Sequence, residues 1–116
     1  MEREPFVIAT TERGRISIAR SAVVQIVGAA AAESYGVVGL AGRGKLSRLV
    51  PWGIRKGVDV DLEDGGLVIE LRVIVEHTVK LAEVAATVRS RVEYELERMV
   101  GLPIASLEVH IDGVRH

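Results

Sequence analysis

Hydrophobic and polar positions along this chain alternate in some segments and follow a helical period in others. Residues 58–63 and 67–76 alternate apolar and polar side chains, which is typical of half-buried strands. The Asp64-Gly65-Gly66 turn signal lies between them, so the two segments predict a β-hairpin. Residues 14–19 (GRISIA) predict an earlier strand, with FVIA at residues 6–9 as a frayed strand before it, and residues 106–111 predict a last strand.

Two other segments have helical character. Residues 20–34 are apolar almost all round and predict a buried helix, because the run is shorter than the ~20 residues that a bilayer core requires. Residues 80–100 predict a long amphipathic helix that ends before Gly101 and Pro103. Its apolar stripe consists of Leu81, Val84, Ala85, Val88, Val92, Leu96 and Met99.

The resulting order is β-α-β-β-α-β over residues 1–116, one domain of the α+β class. We expect a two-layer fold in which both helices pack on one face of a mainly antiparallel sheet, because this arrangement buries every apolar stripe. The opposite face of the sheet would then carry the polar members of the alternating segments. These are Asp59, Asp61, Glu70, Arg72, Glu108 and His110.

Composition narrows the possible functions. The 116 residues include 48% hydrophobic residues and carry a formal net charge of -1, so the chain as a whole does not fit a polyanion binder. There are no cysteines, which excludes thiol catalysis and cysteine-ligated zinc and fits a reducing compartment. The amino terminus shows no signal-peptide pattern.

The catalytic and metal-binding motifs in the chain are weak. GLAGRGK at residues 39–45 resembles a phosphate-binding loop, but Leu46 stands where Ser or Thr would bind magnesium, and the motif follows a predicted helix rather than a strand. The carboxylates of the polar sheet face and His110 are expected to form a solvated surface rather than a metal site. We therefore expect no enzymatic activity, no metal and no cofactor.

Positive charge is concentrated in one segment. Residues 36–57 are rich in glycine and predicted to form an irregular loop, and no acidic residue lies between Glu33 and Asp59. This loop could dock on lipid headgroups, an acidic protein segment or nucleic acid, or it could be an ordinary solvated loop with its tryptophan over the core edge. The candidate docking residues are Arg43, Lys45, Arg48, Trp52, Arg55 and Lys56.

Tyr94 is a further candidate docking residue. Counting 100° per residue places it on the outer side of the second helix. It is either a lone exposed tyrosine or part of a partner surface, where tyrosine is enriched.

Three blocks of the sequence resemble the alkaline shock protein family, also called the Gls-type general stress or envelope stress response family of bacteria. They are GRISIARSAVVQIVGAAAAESYGVVGLAG, GVDVDLEDGGLVIELRVIVEHTVKLAEVA and VGLPIASLEVHIDGV, in this order and spacing. The resemblance implies a small, cytosolic, non-enzymatic protein linked to envelope homeostasis and to alkaline or general stress. It also implies a small integral membrane anchor protein as partner, and self-association in some members.

Together these observations predict an interaction protein at the cytoplasmic face of the cell membrane, with no membrane span of its own. A homo-oligomer is one form in which it could assemble. The docking role of the basic loop is a hypothesis from the residues and does not come from the family. The alternative is a small nucleic-acid-associated domain that uses the same loop. We rank it lower because the strands carry no stacked aromatic residues of the kind that RNA-recognition sheets use.

Overall fold

The structure is a computed structural model that describes residues 5–40 and 57–115. It confirms an α+β fold with two helices and mainly antiparallel strands, and it contains two strand segments beyond the predicted order. In chain order the elements are β1 (Phe6–Thr11), β2 (Gly14–Ile18), α1 (Arg20–Ala32), β3 (Val37–Leu40), β4 (Val58–Glu63), β5 (Gly66–Glu76), α2 (Leu81–Met99) and β6 (Ile104–Arg115).

The main sheet is organised around β5. The predicted hairpin is confirmed: β4 pairs antiparallel with the first half of β5, from Val58 opposite Leu71 to Glu63 opposite Gly66. On the same edge, β3 pairs antiparallel with the second half of β5, while β6 runs parallel to β5 along the other edge. The strand β5 is thus hydrogen-bonded on both sides along most of its length.

The core lies between this sheet and the two helices. Helix α1 packs over β3 and β4, and α2 packs over β6 and against α1. The inner row of β5 is at most 1% exposed and consists of Leu67, Ile69, Leu71, Val73 and Val75. The middle of the predicted α2 stripe belongs to the same buried cluster, whereas its end residues Leu81 and Met99 are 44% and 55% exposed.

Strand β3 corrects the prediction that residues 36–57 are irregular throughout. Gly36 has φ of +89°, in the left-handed region that favours glycine, and its carbonyl accepts a hydrogen bond from the Glu76 amide at 2.9 Å. This contact joins the chain leaving α1 to the end of β5. The four-residue segment VVGL shows no alternation, so only its pairing partner makes it a strand.

The first two strands form their own sheet. The prediction of a frayed strand at residues 6–9 is corrected to a full strand, β1, which pairs antiparallel with β2 in a separate two-stranded sheet. Phe6 is 3% exposed, and the Arg20 guanidinium lies 4.7 Å from its ring centre. Arg20 also donates to the Val60 carbonyl and lies 3.3 Å from Asp61. One side chain of α1 thus connects the sheet of β1 and β2 with β4.

The turn into β5 requires a glycine. Gly66 has φ of +122°, and a Cβ atom built there would lie 2.4 Å from the carbonyl oxygen of Pro103. That carbonyl accepts a 2.8 Å hydrogen bond from the Leu67 amide where β6 begins to run beside β5. The neighbouring Gly65 has no such constraint, since its Cβ would meet only Ala105 at 3.4 Å.

We predict that Gly66→Ala lowers the free energy of unfolding by at least about 2 kcal/mol, because the substitution combines left-handed strain with a backbone clash. Gly65→Ala in the same turn is the matched control, and we expect it to change stability by less than about 0.5 kcal/mol. Urea denaturation of both variants measures the difference. Equal stability of the two would contradict the observed approach of Pro103 to β5.

Candidate interaction surfaces

A groove of about 560 Å³ lies between α1 and α2 and opens to solvent. Ala22, Ile26, Ala29 and Ala30 of α1 and Met99 of α2 provide its apolar surface. Most of these side chains are small because α1 is built largely from alanine. The two helices therefore leave a shallow apolar channel between them on the surface.

Ion pairs line the rim of the groove. Arg91 of α2 lies 3.0 Å from Glu33 at the end of α1 and 3.6 Å from Glu95. Arg98 lies 2.8 Å from Glu95, and this hydrogen-bonded carboxylate raises the pKa of the Arg98 guanidinium above its ordinary value. Two cations and two anions alternate along this rim, so its charges are balanced.

Tyr94 lies on the outer side of α2, as predicted, and is 55% exposed. The Arg98 guanidinium lies 6.0 Å from its ring centre, which links Tyr94 to the rim of the groove although Tyr94 does not line it. The other predicted docking residues lie outside the described residues. They are Arg43, Lys45, Arg48, Trp52, Arg55 and Lys56.

The sequence alone did not reveal the groove. Its two walls are 58 residues apart at the Glu33–Arg91 pair, and periodicity within one helix carries no information on the neighbouring helix. The available signal for the groove was the alanine-rich sequence of α1. It was interpreted instead as burial of residues 20–34 on most sides. In the structure, Gln25 and Ala32 are exposed instead.

The second surface is the sheet face opposite the helices, where β5 and β6 bring charged residues together. Arg72 lies 2.9 Å from Glu70 and 3.3 Å from Asp112. The Nε2 atom of His110 lies 3.4 Å from Glu108 and 3.8 Å from Glu70. Alternation correctly predicted the shared face, but the expected solvated surface is a connected ion-pair network in which Arg72 is only 26% exposed.

Asp112 was not predicted to belong to this face. The register between β5 and β6 shifts after the pair Val73 and Ile111, so that Ile74 lies opposite Gly113. This irregularity adds one residue to β6 and brings Asp112 to Arg72. Strict alternation along β6 cannot predict such an insertion.

Glu70, Glu108 and His110 also place one potential metal-ligand atom each within 4.8 Å of one another. The Arg72 guanidinium already contacts Glu70, and a divalent cation among these groups would experience its charge repulsion. The ion pairs account for the arrangement. The prediction that this face holds no metal stays a prediction.

Comparison with known proteins identifies the family. The alkaline shock protein 23 family, described as having a cell envelope-related function, matches residues 8–116. The chain belongs to this family, which confirms the resemblance drawn from the three sequence blocks. No helix among the described residues is both long and apolar enough to cross a membrane.

Individual relatives match this chain over most of their length. It is similar to the uncharacterized protein YloU of Bacillus subtilis strain 168, with 31% identity over 110 residues that cover 90% of this chain and 92% of YloU. It is also similar to the uncharacterized protein YqhY of the same strain, with 33% identity over 108 residues that cover 90% of this chain and 80% of YqhY. No solved structure matches the chain.

We predict that Arg72→Gln lowers the free energy of unfolding by about 1–2 kcal/mol, because it leaves Glu70 and Asp112 without their shared, partly buried cation. Arg89→Gln is the control, since Arg89 pairs with Glu93 at 3.0 Å but is 64% exposed, and we expect a loss of only a few tenths of a kcal/mol. Urea denaturation at low and high salt measures both. A loss at Arg72 no larger than the loss at Arg89 would show that the network contributes nothing to stability.

Proposed function

We propose that this chain is a non-enzymatic interaction protein of the cell envelope that works at the cytoplasmic face of the membrane and docks there on a membrane-anchored protein. Its family has a cell envelope-related function, which supports the envelope link. The observation that carries the docking role is the open apolar groove between α1 and α2. The expected link to alkaline or general stress is part of the same proposal.

The occupant that suits this groove is an amphipathic helix of the partner. Small side chains such as Ala22 and Ala29 allow a third helix to approach α1 closely, since interaxial distances depend on the side chains at the contact. An apolar stripe on that helix would cover Ile26 and Met99, as in other complexes in which a helix lies in a hydrophobic groove. Met99 is 55% exposed and gains cover on binding.

The rim of the groove supports a helix with mixed rather than one-sided charge. The cations Arg91 and Arg98 and the anions Glu33 and Glu95 are already paired, so a partner of high net charge finds no excess of the opposite sign. Tyrosine, arginine and methionine are residue types enriched in protein interfaces. Arg98 and Met99 supply two of these types at the groove, and Tyr94 lies beside Arg98 outside it.

The basic segment, residues 43–56 of the loop described from the sequence, is a second contact in this proposal. Each of its five cations contributes about 1 kcal/mol at an anionic membrane surface, and not all can face the surface at once. An attraction of at most ~5 kcal/mol is reversible and sensitive to salt. It therefore assists attachment through a protein partner and does not replace the partner.

The test is photo-crosslinking in native membranes followed by detergent extraction. A photoreactive amino acid in place of Met99 is expected to crosslink to an integral membrane protein, whereas the same group in place of the exposed Ala86 on α2 is not. We expect Ala29→Arg, which fills the groove, to reduce the Met99 crosslink by at least about 10-fold. Ala86→Arg makes the same chemical change at a position of α2 outside the groove and should leave the crosslink intact.

The outcomes separate the parts of the proposal. A Met99 crosslink that Ala29→Arg leaves unchanged contradicts the groove as the docking surface. A photoreactive group at Met99 that crosslinks only to soluble proteins contradicts the membrane-anchored partner. The combined variant Arg48→Glu, Trp52→Ala and Arg55→Glu tests the basic segment, and unchanged membrane recovery would remove it from the proposal.

A further inference from the structure

Strand β6 forms an edge of the main sheet and has β5 as its only strand neighbour among residues 5–40 and 57–115. Its regular part runs from Ser106 to Ile111, between two irregularities in its register with β5. Edge strands present unpaired backbone N–H and C=O groups, and proteins commonly protect them with lysine, proline or bulges. The two irregularities flank this edge, and the six-residue sequence SLEVHI between them contains no lysine, no proline and no further irregularity.

The apolar row of the sheet loses its cover at this edge. In β5, Ile69, Leu71 and Val73 are at most 1% exposed. Their direct neighbours in β6, namely Leu107, Val109 and Ile111, pack against the core but are only partly buried. A further strand beside β6 would cover them and extend the row outward.

The polar face of β6 also leaves a group without a hydrogen bond. The Nε2 atom of His110 is buried and makes no hydrogen bond with any protein atom. The nearest carboxylate oxygens belong to Glu108, at 3.4 Å, and to Glu70, at 3.8 Å. Neither contact has the geometry of a hydrogen bond. An additional carboxylate from a neighbouring strand would give this nitrogen a partner.

A second copy of β6 supplies these missing groups when it pairs antiparallel about Val109. In this register Glu108 lies opposite His110 of the second copy, and this pair occurs twice because of the two-fold axis. Leu107 lies opposite Ile111 of the second copy on the helix side. Centring the pairing on Glu108 would instead place two glutamates opposite each other, and centring it on His110 would place Glu108 opposite Asp112, which cross-strand charge repulsion disfavours.

We propose that two copies of this chain associate through their β6 edges, antiparallel and centred on Val109, to form one sheet through both copies. Pairing about a residue keeps the apolar rows on one side, so both helical layers face the same direction. Both grooves between α1 and α2 then open toward the same side of the dimer. Two grooves on one side allow bivalent attachment, which strengthens binding to a membrane-anchored partner without new contacts.

The pairing is expected to be weak and reversible. Six regular residues per strand form a contact well below the roughly 800 Å² per partner of standard stable interfaces. The dimer should therefore form at high local concentration, for example on a surface that gathers many copies. This inference does not depend on the proposed groove function, because the edge and the groove share no residues.

Disulfide trapping tests the interface and its register. The chain has no cysteine, so a single introduced cysteine can crosslink only between copies. We expect an equal mixture of Glu108→Cys and His110→Cys, one of them tagged for size, to form a mixed disulfide at least about 10-fold faster than the control Ser90→Cys. Ser90 is exposed on α2, and the mixture keeps one His110–Glu108 pair in each dimer.

Three results would contradict the proposal. The first is that the mixture crosslinks no faster than Ser90→Cys. The second is that Glu108→Cys alone crosslinks as fast as the mixture, which would place the centre of the strand pairing at a residue other than Val109. The third is a wild-type chain that sediments as a monomer at about 1 mM, a concentration at which even a weak, reversible pairing has to be populated. Adding Ala29→Arg to both cysteine variants should leave the mixed disulfide unchanged, which separates this inference from the groove.

Discussion

The whole structure depends on β5, a strand that is hydrogen-bonded along both edges and buried on one face. Its inner row meets α1 and α2, its first edge receives β4 and β3 in turn, and its second edge receives β6. The strands β3, β4 and β6 are positioned by pairing with this strand, and the helices pack over those strands. A buried strand that is paired on both edges along most of its length leaves little freedom for alternative arrangements.

The surfaces available for binding follow from this arrangement. Two helices placed side by side on one sheet face leave a groove between them, and the alanine-rich sequence of α1 keeps that groove open and apolar. The opposite sheet face is closed to apolar partners by the ion pairs around Arg72. The parallel strand β6 ends the sheet with an edge whose apolar row is only partly covered.

As proposed, the protein assembles at a membrane by several weak contacts rather than by one strong contact. In the proposed mode of binding, a groove, a basic segment and a pairing edge would each provide limited and reversible binding. Their combination gains strength when many copies are held on one surface, because later contacts form within an existing complex. Membership in an envelope-related family agrees with such a mode of action.

The sequence by itself determined the features that depend on near neighbours in the chain. Period-two alternation located β4 and β5, the Asp64-Gly65-Gly66 signal located their turn, and the α2 stripe identified the side of the helix that packs on the sheet. The order and spacing of three sequence blocks indicated the family. Each of these signals lies within one element or one short segment, where side-chain direction follows directly from backbone geometry.

The tertiary structure decided the features that need contacts between distant residues. Strand β3 exists because β5 offers it an edge, the first two strands form their own sheet, and Asp112 joins Arg72 through an irregular register with β5. The groove likewise requires α1 and α2 to lie side by side, with Glu33 and Arg91 in contact across 58 residues. Periodicity reports which face of an element is buried, but not which other element covers it.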